Sequence, residues 1–73
     1  MKLWLLTRDD RCGYDENNGF VIRAEDETAA RTMAAAVKGG EGEGTWLLRA
    51  FSTCSELSAD GTAQIVLTDF NAG

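Results

Sequence analysis

The chain has 73 residues, of which 44% are hydrophobic and 26% charged, and twelve acidic side chains against seven basic ones leave a net charge of −5. That length holds one small domain, burying only about 60% of the surface its unfolded chain exposes, and that composition excludes a disordered chain. No stretch approaches the roughly 20 apolar residues that span a bilayer, and the seven cations (Lys2, Arg8, Arg11, Arg23, Arg31, Lys38 and Arg49) are too scattered to clamp a phosphate backbone, so neither a membrane nor nucleic acid is expected as a direct partner.

Residues 2–8, Lys-Leu-Trp-Leu-Leu-Thr-Arg, form a short apolar run flanked by charge, which reads as a strand with both faces at least partly covered. The run is too brief for a signal-peptide core, and Asp9-Asp10 follows without a small-residue cleavage pattern, so a cytoplasmic location is expected. In that compartment Cys12 and Cys54 are two free thiols. Residues 9–19 are dense in turn formers and end on Asn18-Gly19. A second strand at 20–24 puts Phe20, Ile22 and Ala24 on one face and completes an antiparallel hairpin.

Asp26 is a helix N-cap, with Glu25 and Glu27 at the positive end of the helix dipole. Helical spacing then places Ala29, Ala30, Met33, Ala34, Ala36 and Val37 against the sheet, with Met33 and Val37 as the main knobs. Glu27, Thr28, Arg31, Thr32 and Lys38 fall on the opposite side, Glu27 and Arg31 forming an i, i+4 pair in the favourable order. Gly39 ends the helix, and Gly-Gly-Glu-Gly-Glu-Gly at 39–44 reads as a flexible connection. Thr45 to Phe51 reads as a strand, with a loop anchored by Trp46 as the alternative, and 52–57 as its continuation or an edge strand. Asp60-Gly61 marks a turn before a last strand at 64–69. The expected fold is α+β in the order ββαββ: one mostly antiparallel sheet of three to four strands with a single helix on one face, in one domain spanning 1–73.

One short helix covers one side of a sheet, yet these strands are apolar on both sides: Leu3 and Leu5 oppose Trp4 and Leu6, Ile65 and Leu67 oppose Val66 and Phe70, and Trp46 and Leu48 oppose Leu47 and Phe51. The segments 9–19 and 39–51 folding over the second face, a second copy of the chain, or another protein would each account for the surplus.

Catalytic chemistry is thinly provided. The chain has no histidine, which removes the commonest general base and metal ligand, and two cysteines without histidine do not complete a structural zinc site. A calcium loop counted from Asp15 through Asn17 meets Gly19 at its third ligand position. The glycine-rich run lacks the Lys-Ser/Thr of a phosphate loop, and its glutamates repel phosphate. The acidic pairs Asp9/Asp10 and Asp15/Glu16 and the run Glu25–Glu27 read as solvated loops and a helix cap, and Cys54, with no base to activate it, as a small buried residue. A non-enzyme without cofactor or metal is expected.

Leu3-Trp4-Leu5-Leu6, Gly19 to Glu25, Ala30-Arg31, Trp46, Ser52 to Leu57, Asp60-Gly61 and the closing Asp69-Phe70-Asn71-Ala72-Gly73 together resemble a group of small phage and actinobacterial proteins. The resemblance brings no catalytic residue, ligand or cofactor. It implies a context in which small accessory proteins bind and disable host machinery, including defence systems of the CRISPR kind. The expected function is an acidic protein-binding module directed at a host protein, with a self-associating accessory domain, a homodimer, as the alternative. The contact is expected around Asp15 and Glu16 in the first loop and around Glu41, Glu43 and Trp46 in the second, the exposed acidic stretches that could meet a basic surface.

Overall fold

A computed structural model describes residues 1–8 and 16–68. Three strands, β1 (Lys2–Arg8), β2 (Gly19–Ala24) and β3 (Ser52–Leu57), form an antiparallel sheet with β1 in the centre. Two helices, α1 (Glu27–Ala36) and the short α2 (Glu43–Leu47), lie between β2 and β3 in the chain. The fold is therefore α+β, with a second helix where a strand was expected.

The register follows from alternation. Trp4 pairs with Ile22 and Leu6 with Phe20 on one side of β1, and Leu6 faces Cys54 on the other. These residues share the face that α1 covers, where Leu6, Ile22, Ala24, Ala30, Ala34, Ala35 and Trp46 are buried and Trp4, Phe20, Ala29 and Cys54 pack around them. Trp4 also anchors β1 to the end of β2, its Nε1 donating to Ala24 O at 3.1 Å. The opposite face, by the two-residue period of a strand, carries Leu3, Leu5, Val21 and Leu57. It stays partly open: Val21 is 53% exposed.

Helix α1 starts as its sequence dictates, with the Asp26 carboxylate accepting from Ala29 N at 2.8 Å. Its buried face is the expected one at Ala29, Ala30 and Ala34 but not at Met33, Ala36 and Val37. Ala30, Arg31, Ala34 and Ala35 point inward, whereas Met33 and Val37, the expected knobs, are 50% and 66% exposed. The cause is Arg31: its guanidinium finds partners inside, and turning it inward rotates Met33 and Val37 out. The helix stops at Ala36, before Gly39, with the Val37 N–H bonding Ala34 O at 3.2 Å.

Two further expectations are corrected. Thr45 to Phe51 contains no strand; α2 and a following turn occupy it, and residues 43–44 of the supposed connector belong to that helix. A helical turn lets Trp46 enter the core on the α1 side and sends its neighbours Leu47 and Leu48 outward, so the 39–51 segment packs with α1 and leaves the second sheet face alone. Residues 64–68 form no strand either, and Ile65 is 82% exposed. The β3 edge they would join, Ser52–Leu57, is mostly polar and offers an apolar strand few cross-strand partners. Asp69 and Cys12 lie outside the described residues; Cys54 is a free thiol.

Gly19 marks the tightest backbone approach, since a Cβ there would sit 2.6 Å from Leu6 O. Gly19→Ala is expected to lower stability by about 1–3 kcal/mol through forced separation of β1 and β2, read as a lower urea midpoint with an unchanged slope.

Candidate interaction surface

The polar residues of the second loop and of α1 are organised around Trp46. Its indole is fully buried and meets Phe20 edge to face, with centroids 4.9 Å apart and planes at 82°. Burying an indole requires a partner for its N–H, and Glu41 supplies it: Trp46 Nε1 donates to Glu41 Oε2 at 2.6 Å. The same carboxylate accepts from Asn17 Nδ2 at 3.0 Å, Asn17 N at 3.2 Å and Gly39 N at 2.9 Å. Partial burial opposes ionisation of Glu41, but the bonds from Trp46 and Asn17 outweigh it and lower its pKa from 4.5 to about 2.

Arg31 grips the same tryptophan from its backbone side. Its Nη1 donates to Trp46 O at 2.9 Å and to Ser52 Oγ at 2.8 Å, its Nη2 to Ser52 O at 3.0 Å, and its Nε to Glu27 Oε2 at 2.8 Å. One guanidinium thus ties α1, α2 and β3 together. The hydrogen bond from Arg31 holds the Glu27 carboxyl below its ordinary pKa, against a smaller effect of burial, and Arg49 assists. Near this cluster, burial foremost and then the Glu27 charge push the Cys54 thiol up. A thiol raised in this way is protonated at neutral pH and is a poor nucleophile.

The residues singled out in the sequence have mixed placements. Asp15 lies outside the described residues. Glu16 is half-buried and pairs with Arg8 at 3.0 Å, where Arg8 also donates to Asn17 O at 3.2 Å. Glu41 is half-buried in the cluster above, and Trp46 presents no surface at all. Glu43 is exposed in the first turn of α2. Glu16 and Glu41 share an open hollow of about 540 Å³ with Arg8, Thr45 and Phe51, while Glu43 is not among its walls. Among the described residues every buried side-chain nitrogen and oxygen has a hydrogen-bond partner, and no group of three His, Cys, Asp or Glu side chains is placed to hold a metal ion. No helix among them is long and apolar enough to cross a membrane.

The structure also leaves large apolar side chains outward at and after the end of α2. Leu47, Leu48 and Phe51 are 42%, 51% and 56% exposed along one short stretch, beside the exposed Arg49. A turn in which Phe51 N and Ser52 N both donate to Leu48 O fixes that stretch. These residues were counted in the sequence as surplus apolar surface, but the strand period divided them between two sheet faces. Comparison with protein-family models, curated proteins and solved structures gives no match for this chain.

Two outcomes follow from the two grips. Arg31→Met is expected to cost about 2–4 kcal/mol and Ser52→Ala about 1 kcal/mol in urea unfolding, because the first orphans several acceptors and the second only part of one bond set. The folded pKa of Glu41 lies below its unfolded value, so its stabilisation is complete above about pH 4.5 and is lost as the pH falls through about 2. Urea midpoints taken down that range should show this loss, and Glu41→Gln should remove that component of the pH dependence.

Proposed function

We propose that this chain is a non-enzymatic module that binds a protein partner through the apolar ridge Leu47, Leu48 and Phe51. The carrying observation is an inversion: Arg31 and Glu41 are occupied inside the fold while three large apolar side chains stand in solvent. Such residues, held by a fixed turn and rimmed by Arg49 and Glu43, suit the centre of a small protein interface, where apolar anchors dominate and charge belongs at the rim. The absence of histidine and the raised pKa of Cys54 argue against acid–base or thiolate catalysis. The resemblance to small phage proteins directs the search to a host protein, including components of a defence system of the CRISPR kind, with the chain acting as its inhibitor in the cytoplasm.

The test is affinity capture from bacterial lysate with the tagged chain, compared with a Leu48→Glu/Phe51→Glu variant. Both sites are exposed, so the variant keeps its fold. A host protein recovered near stoichiometry by the parent and lost with the variant supports the reading. Equal capture by both, or capture by neither, refutes it.

A further inference from the structure

The outer margin of β2 is unfinished on both faces. Among the described residues the strand pairs with β1 alone. Arg31 reaches α2 and β3 from one flank of α1. By the helical period Met33 and Val37 fall on the other flank, the one over β2, and both stand exposed there. Val21 is exposed on the opposite face of the sheet. The segment 64–68, Gln-Ile-Val-Leu-Thr, has the β-branched and apolar composition of a strand. It joins none, and it leaves Ile65, Val66 and Leu67 82%, 52% and 52% exposed.

One end of this segment is already beside β2. Leu67 and Thr68 border a hollow of about 510 Å³ with Asn17, Asn18 and Gly19, where β2 begins. The other end is within reach. Leu57, Leu3 and Arg23 lie in one row across the three strands. A fourth strand outside β2 therefore starts about 14 Å from Leu57, three strand spacings away. The connection 58–63 spans up to roughly 23 Å, and it bends at Gly61, whose φ is +142°. It stays at the Lys2–Ala24 end of the sheet, so a segment that leaves it toward Gly19 runs antiparallel to β2. With Thr68 opposite Gly19, Leu67 faces Phe20, Val66 faces Val21 and Ile65 faces Ile22. Partners in a ladder share a face. Ile65 and Leu67 then lie on the α1 side, under Met33 and Val37, and Val66 lies beside Val21.

We propose that residues 64–68 are a strap: seated at the Thr68 end, they close antiparallel along the free edge of β2 in their own chain as a reversible fourth strand. Closure satisfies the outward amides and carbonyls of β2 and covers Met33 and Val37. It also guards an apolar edge on which another chain could add a strand. Because the strap does not use Leu47, Leu48 or Phe51, it stands independently of the proposed partner surface.

The test is the rate of cross-linking within one chain. A chain with Val21→Cys and Val66→Cys is compared with one carrying Thr53→Cys and Val66→Cys, each also with Cys12→Ser and Cys54→Ala. Val21 and Thr53 are both exposed, and both lie roughly 12–13 Å from Leu57 across the sheet, so an unattached tail meets them equally. Circular dichroism matching the parent verifies each fold. In dilute solution with a short bifunctional maleimide, closure between positions 21 and 66 is expected to be roughly tenfold faster or more than between 53 and 66, the mark of a raised local concentration. Adding Ile65→Lys and Leu67→Lys, both at exposed positions, is expected to bring the faster rate down to the slower one. Equal rates, faster closure at position 53, products formed only between chains, or a preference indifferent to the two lysine substitutions each overturn the strap.

Discussion

Everything on the helix side of this sheet depends on keeping one indole out of water. The interior is otherwise made mostly of small residues: among the described residues, four of the seven buried apolar side chains are alanines, and only Trp46 and Leu6 are large and fully enclosed. A chain this short has little apolar surface to bury, so the placement of Trp46 sets the positions of its neighbours. Two opposite charges hold it, Arg31 at its carbonyl and Glu41 at its ring nitrogen. Through Arg31 the tryptophan is linked to the start of β3, and through Glu41 to the backbone entering β2 at Asn17. The glycines around Glu41 let the chain bend closely enough for this, Gly42 doing so at a φ of +91°.

Much of the sheet was legible because strand alternation is a local signal: β1, β2, β3 and the Asp26 cap all follow from residues close in sequence, whereas the strand expected from 64 does not form over 64–68. The misplacements of Arg31 and Trp46 share one physical origin. Arg31 was assigned to solvent because helical periodicity ranks a guanidinium as polar, and nothing local shows that Trp46 O, Ser52 O and Ser52 Oγ converge on it from elsewhere in the chain. Once Arg31 turns inward, Met33 and Val37 must turn out. Trp46 was misplaced on a strand for a similar reason, since a run of apolar residues fits either period until the acceptor for its N–H is known. Of the expected contact residues, Glu16 and Glu41 do come near each other, but as internal anchors, and the exposed neighbours Leu47, Leu48 and Phe51 were hidden inside a run read as a strand.

The molecule therefore separates its interactions unusually. Buried and half-buried positions are rich in directed hydrogen bonds to charged groups, which fix geometry but add modest net stability. The apolar material that would ordinarily supply that stability is distributed on the outside, at the α2 turn, on the open sheet face and in residues 64–68. A fold built in this way is specified mainly by direction and less by volume, and it has apolar surface left for association.

The grip on Trp46 also gives the protein a built-in optical probe. An indole enclosed by apolar side chains and bonded through its nitrogen to a carboxylate emits at shorter wavelength than one in water, and its excited state senses the charge beside it. Trp4 donates its nitrogen to a neutral backbone carbonyl instead. Emission from the two rings can therefore be separated, one following the integrity of the β1–β2 pair and the other the electrostatic state of the loop that closes over the core.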